Sequence, residues 1–370
     1  MKVSPSNARC LLIATLLAAS AAAPSLADDG GFYGLLRSRD LSPFGFLRLD
    51  MRPAHAVSIE PGSWALETEL AYQNTWALSE EVEKYLVGLE AEGRRRLGAA
   101  EVQAIRDLPG ENYLLDFEGV MFSFAAHHKF SSHWSAYGIL SAVSYGGGFL
   151  DGTIENFHDL FGFSSFGRPA AARNQTLLVY DLKGAQALML DSPSDGGLLD
   201  PVLGVRFSGV QLSPAWRMRL EGAVKVPLRG RRLLLSTGRA DYGLQAALQR
   251  TGDRHAFYID TAAVYYAGAS DPAAQDSQVV PTVILGYEFK WTQRTHLNLQ
   301  VYASKSVYSH RQTDLDELLG TKYQYHIGLR HLRENWLWTL GFNENVQNIN
   351  NTPDVGLQLG LAWIPGRADR

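Results

Sequence analysis

Apolar and polar residues alternate with period two along most of this chain. That period suits strands with one buried face and excludes helices as the main element. In 216–226, Trp216, Met218, Leu220, Gly222, Val224 and Val226 fall on one face, with Arg217, Arg219, Glu221, Ala223 and Lys225 on the other. In 239–249, Ala240, Tyr242, Leu244, Ala246 and Leu248 oppose Arg239, Asp241, Gly243, Gln245 and Gln249. In 294–304, Leu297, Leu299 and Val301 oppose Arg294, His296, Asn298, Gln300 and Ser304. Similar alternation marks 64–73, 202–210, 254–267, 279–291, 321–333, 335–346 and 354–363, and a less regular form marks 111–124, 134–146 and 173–183. The breaks are short, as at Arg250-Thr251-Gly252-Asp253, Gln293-Arg294 and Arg333-Glu334-Asn335. Tight connections make consecutive strands antiparallel neighbours.

Alternation alone serves a soluble sandwich as well as a membrane barrel, because both bury one face. Three features favour the barrel. Strands of about 10 residues suit a tilted bilayer crossing. Aromatic residues gather towards strand ends, among them Trp64, Tyr72, Trp216, Tyr287, Trp291, Tyr323, Trp336, Trp338 and Trp363, as interfacial girdles require. The face opposite is charged and rich in glycine, which a wet interior tolerates. Inside a hydrocarbon layer every strand edge must be paired, so the sheet has to close. The expected fold is an all-β, antiparallel up-and-down transmembrane β-barrel. The roughly 13 candidate strands imply an even count of about 12–14. A soluble periplasmic β-protein is the alternative.

The N-terminus reads as a leader. Lys2 and Arg9 precede an apolar run from Cys10 to Ala23, and Ser25-Leu26-Ala27 offers a cleavage site. The run is too short to span a bilayer. The expected division is therefore a signal peptide at 1–27 and one barrel domain at 28–370. Cleavage removes Cys10, the single cysteine, and with it any disulfide, thiol nucleophile or thiolate metal site. It leaves 32 basic residues against 38 acidic ones, which gives no footprint for nucleic acid. The last strand carries Leu357, Leu359, Leu361 and Trp363 on one face, as outer-membrane barrels do, but the chain runs on to Arg370 where those commonly stop at an aromatic residue.

Two segments break the alternation. Residues 79–108 read as a helical loop insertion: Ser79 can cap, Glu80 and Glu81 suit a helix N-terminus, and Val82, Tyr85, Leu86 and Leu89 form a stripe. The run Arg94-Arg95-Arg96 is a solvated face or a contact for anionic head groups. Residues 151–169, DGTIENFHDLFGFSSFGRP, place Glu155, His158, Asp159 and Arg168 among four phenylalanines. Ile154, Phe157, Leu160 and Phe161 keep helical spacing, so a short helix from near Thr153 to Gly162 is expected. It would form a structured loop, folded inward or over the barrel mouth, constricting or lidding the lumen. Arg168 or Arg173 would pair with one of its acids.

The stretches LDFEG (115–119) and SYGGGFLDGTIENFHDLFGF (144–163), with Arg168 and Arg173 beyond them, resemble the pattern of domain-of-unknown-function family 3187 (DUF3187), and LLRSRDLSPFGFL (35–47) fits the same family. The resemblance covers most of the mature chain. It implies an exported or outer-membrane bacterial protein and brings no activity with it.

Signs of chemistry are sparse. Gly162-Phe163-Ser164-Ser165-Phe166-Gly167 is one residue too long for a nucleophile elbow and lacks its strand–turn–helix setting. No strand sets a serine two residues from a histidine, and the adjacent His127 and His128 point to opposite faces of a strand. No catalytic residue, metal site or cofactor is assigned. The lumen face carries more. Glu67, Glu69, Asp116 and Glu118 are expected to form an acidic wall, opposite a basic wall of Arg206, Arg217, Arg219, Lys225 and Arg239. Opposed walls would set a transverse field across a narrow pore. The plainer arrangement is that these charges pair across neighbouring strands and fill the barrel. The expected function is a channel or binding barrel for a small polar solute in the outer-membrane bilayer. The alternatives are a closed barrel with an envelope-structural or lipid-handling role, or an outer-membrane hydrolase; oligomeric state is left open.

Overall fold

The computed structural model describes residues 31–43, 46–52, 59–183, 188–190, 196–228, 230, 232–268, 277–345, 347 and 349–365. The expected leader at 1–27 lies outside them. In chain order the strands are β1 (Trp64–Leu78), β2 (Asn112–Lys129), β3 (Trp134–Gly146), β4 (Leu177–Asp181), β5 (Leu188–Leu190), β6 (Gly197–Leu198), β7 (Val202–Gln211), β8 (Trp216–Lys225), β9 (Asp241–Thr251), β10 (His255–Tyr266), β11 (Gln278–Lys290), β12 (Thr295–Ser304), β13 (Lys322–Arg333), β14 (Trp336–Glu344) and β15 (Val355–Trp363). The helices are α1 (Glu80–Leu89), α2 (Ala99–Arg106), α3 (Asp151–Phe161) and α4 (Asp316–Leu319).

Twelve of these strands close an antiparallel ring. It runs β1-β2-β3, passes to β7, continues in chain order to β15, and returns through the β1–β15 pairing. The irregular candidate at 173–183 accounts for the thirteenth segment. Its strand β4 pairs with the first residues of β2, Asn112–Asp116, above the point where β3 leaves β2 at Glu118. It therefore extends one side of the wall and adds no stave to the ring.

The two ends of the barrel differ. At one end β2–β3, β7–β8, β9–β10, β11–β12 and β13–β14 are joined by turns of a few residues, and at the other lie all the long connections. The outward face between them is apolar and exposed: Leu66, Leu70, Phe122, Leu244, Leu285, Leu299, Ile327, Leu340 and Leu359 all belong to it. A continuous skin of this kind is untenable in water and suits acyl chains. Near the short-turn end the skin finishes in Trp64, Trp336 and Trp338, as an interfacial girdle does.

Above the long-loop end the wall has no lipid to face, and protein covers it on both sides. Inside, Tyr113, Leu115, Phe117 and Met121 join one cluster. Outside, Trp76, Leu78 and Leu114 pack with Val82 and Leu86 of α1 and with Val102 and Ile105 of α2. The 79–108 insertion thus lies against the outer surface of the wall.

Candidate functional site: a lumen filled by the N-terminal segment

Residues 31–43 run into the lumen and 46–52 run back, and the wall satisfies their backbone with side chains. Glu288 accepts the N–H groups of Tyr33 and Gly34 at 2.8 and 2.9 Å. Gln300 accepts the Leu36 N–H at 2.9 Å and donates to its carbonyl at 3.1 Å. Asn298 donates to the Gly34 carbonyl at 2.9 Å, and Arg330 to that of Tyr33 at 2.5 Å. On the far wall Gln73 accepts from Leu41 N–H at 2.7 Å and donates to the Arg39 carbonyl at 2.6 Å. On the return, Asp241 accepts the Leu49 N–H at 2.9 Å and Lys225 donates to the Leu47 carbonyl at 2.7 Å. A chain without its own sheet ladder must find such partners, because an unpaired buried amide costs roughly 1–3 kcal/mol.

The segment's side chains complete the fit. Arg37 pairs with Glu67 at 3.0 Å, Arg52 with Glu69 at 2.9 Å, and Asp40 with Lys322 at 2.8 Å. Ser38 and His326 share a hydrogen bond of 2.6 Å. The apolar side chains sit over wall glycines. A Cβ on Gly286 would lie 2.2 Å from Leu35, one on Gly328 2.6 Å from Leu36, and one on Gly243 2.5 Å from Met51. Lumenal glycines here make room for the plug.

This arrangement corrects the expected field across the pore. Glu67 and Glu69 are matched by arginines of the N-terminal segment. Arg206 pairs with Glu221 at 2.6 Å, Lys225 with Asp241 at 2.8 Å, and Arg219 donates to Gln249 at 2.7 Å, all between neighbouring strands. Arg217 shares the face of Arg219 near the short-turn end. Arg239 precedes β9 and is exposed, donating to the Ala267 carbonyl at 3.4 Å. Asp116 and Glu118 lie on the opposite face from that expected. In the β1–β2 register Gln73 stands beside Gly119, Asn74 beside Glu118 and Trp76 beside Asp116. Gln73 reaches the plug, so Asn74, Trp76, Asp116 and Glu118 point outward.

The 151–169 segment is therefore not a constriction: it packs on that outer surface. Glu118 accepts the N–H groups of Phe149 and Leu150 at 3.1 and 2.7 Å. Arg168 pairs with Asp151 at 2.6 Å and with Asp354, and its guanidinium stands 5.0 Å above the Trp76 ring. Glu155 is held between Arg94 at 2.7 Å and Arg173 at 2.6 Å. Gly162 ends α3 in the left-handed region at φ 71°, as a C-terminal glycine should. His158 is half-buried, and burial together with Arg168 pushes its pKa down. Asp159 is exposed. The acids and arginines of the segment do come together, as an ion-paired clasp on the wall. Among the described residues no group of three His, Cys, Asp or Glu is arranged to hold a metal ion.

A closed twelve-stranded ring, an apolar skin and a polar lumen define a transmembrane β-barrel of the outer-membrane type. Among solved structures the chain is similar in fold to the COG4313 outer membrane channel from Pseudomonas putida F1, with a TM-score of 0.51 at 9% identity, over 83% of this chain and 96% of that one. It also matches the NanC porin with a TM-score of 0.42 at 8% identity, over 80% of this chain and 98% of that one. No curated protein matches the sequence. The chain belongs to the family described as protein of unknown function (DUF3187), whose model matches residues 106–363.

Proposed function

We propose that this chain is an exported outer-membrane barrel of channel type that is closed at rest by its own N-terminal segment. It passes a small polar solute when that segment withdraws. The reading rests on one observation: the lumenal side chains Gln73, Lys225, Glu288, Asn298, Gln300 and Arg330 spend hydrogen bonds on the backbone of 31–43 and 46–52. Once freed, the same groups line a polar passage of both charges, which suits a small dipolar or zwitterionic solute and disfavours an apolar one. A permanently closed barrel with an envelope-structural role is the second reading, and the buried ion pairs Arg37–Glu67 and Arg52–Glu69 favour it, since breaking such pairs is costly.

Conductance in planar bilayers separates the two. The refolded full chain should be nearly silent, and a chain lacking 31–52 should conduct. Heat-modifiable gel mobility shows that both have folded. A folded deletion variant that stays silent would establish the closed barrel, and steady porin-like conductance of the full chain would show that the segment does not seal the lumen.

A further inference from the structure

The outward clasp leaves an apolar surface that neither the barrel nor the plug uses. Seen down its axis, α3 has three sectors. Asp151, Ile154 and Glu155 face the wall and are buried. Asp159 and Asn156 form a polar flank, both exposed. Phe157, Leu160 and Phe161 form an apolar flank at i, i+3 and i+4, with exposures of 49, 78 and 58%. Phe163, beyond the helix, stacks on Phe161 with ring centroids 6.1 Å apart. Helices of globular proteins turn such a stripe inward; this one leaves it largely exposed.

What covers it is indicated by where it begins. Phe149, just before the helix, is 66% exposed and stacks on Tyr72 at 4.9 Å. Tyr72 is the last residue of the lipid-facing row of β1, after Leu66 and Leu70, and the next outward residue is the polar Asn74. Phe149 therefore carries the barrel's apolar skin from Tyr72 to the foot of α3, at the level where the bilayer ends. We infer that α3 is an interfacial anchor: Phe157, Leu160, Phe161 and Phe163 enter the edge of the lipid layer beside the barrel, while Arg168, between Asp151 and Asp354, and Glu155, between Arg94 and Arg173, hold the helix base in place. The occupant is the membrane surface itself. Amphipathic helices of this kind sink their apolar side about 5–10 Å into the headgroup–acyl boundary, and aromatic side chains prefer that level.

The inference rests on the membrane-spanning reading of the barrel and is independent of the plug. Its test is nitroxide accessibility in phospholipid vesicles, with single cysteines introduced as Leu160→Cys, Phe161→Cys and Asp159→Cys in a chain whose native Cys10 is replaced, and with Leu340→Cys on the outward face of β14 as reference. Each variant is first shown to fold by its heat-modifiable mobility. Positions 160, 161 and 340 should favour oxygen over a water-soluble nickel chelate, and 159 the chelate. If 340 is lipid-exposed while 160 and 161 are as open to the chelate as 159, the anchor is refuted and the barrel stands. If 340 is also aqueous, the membrane reading falls with it. Spin–spin broadening at 160 that vanishes on dilution with unlabelled protein would assign the patch to a second copy, and would also overturn the inference.

Discussion

The plug makes a sharp demand on one wall glycine. Gly286 lies in β11 beneath Leu35, which is almost fully buried. A methyl at that position would meet Leu35 Cδ2 at 2.2 Å and Cδ1 at 2.6 Å. One partner must move. The wall strand is paired on both sides, whereas the plug is held by side chains, so the plug yields. Overpacking of this kind costs about 1–3 kcal/mol, which corresponds to roughly a 5- to 150-fold rise in the population with 31–43 released. Amide hydrogen exchange read by mass spectrometry follows that population directly. In Gly286→Ala the peptide covering 31–43 should exchange faster by that factor, and the peptide covering β12 should not change. Leu35→Ala alone removes the same packing and should act in the same direction, by about 2–5 kcal/mol. In the double variant the new methyl occupies space that Leu35 has vacated, so the two effects should couple by about 0.5–3 kcal/mol and not add. Unchanged exchange of 31–43 in a folded Gly286→Ala variant, or strict additivity in the double, would refute the packing of Leu35 against Gly286.

Other positions make narrower demands. Arg52→Met strands the buried Glu69 carboxylate and should loosen 46–52 by about 3–5 kcal/mol, read by the same exchange measurement, while adding Glu69→Gln should recover most of the loss. Arg168→Met removes the clasp, so limited proteolysis within 147–175 should accelerate with no change in heat-modifiable mobility. Deleting 152–168 should leave the conductance of the full chain unchanged, because the segment packs outside the wall; a rise would return it to the pore. Burial, against the pull of Arg168, holds the Asp354 carboxyl up at about 6. A folded-state pKa above the unfolded value of about 3.9 contributes stability that is complete below 3.9 and lost as pH rises through 6. The clasp should therefore resist protease better at pH 5 than at pH 8, and Asp354→Asn should reduce that contrast, the remainder belonging to Glu118, whose carboxyl is held up by burial at about 7.

The ring was legible because lipid enforces the pattern that reveals it. Where a strand has acyl chains on one side and a polar lumen on the other, as in β8 through β15, alternation is regular and the expected segments meet the observed strands within a few residues. The plug was hidden for the complementary reason. Residues 31–43 and 46–52 form no strand of their own and carry no periodicity; their backbone is satisfied by Glu288, Gln300, Gln73 and Asp241, which are distant in sequence. The available signal was chemical. Arg37, Arg39, Arg48 and Arg52 precede the first strand and outnumber the acids between them, and the lumen face holds the carboxylates to meet them.

The misplaced acids of β2 show how a barrel's edge can be read. Taking every polar residue as lumenal assumes that the other face meets lipid, and that assumption stops where the bilayer stops. Above that level both faces of β2 are covered by protein: Tyr113, Leu115 and Phe117 inside, Leu114 outside. The alternation there loses its meaning, so parity has to be carried up from the regular part of the strand. Counting from Phe124 and Phe122, which are exposed to the lipid side, the same face reaches Val120, then Glu118 and Asp116. A carboxylate on that face cannot face hydrocarbon, so the lipid layer must end below Glu118, and some other part of the chain must bring donors to cover it. The clasp does both: it supplies the Phe149 and Leu150 amides to Glu118 and sets Arg168 beside Asp151, above the Trp76 ring. Two acids on the lipid-side row of an otherwise alternating strand thus mark the height of the membrane and call for a loop on the outer wall.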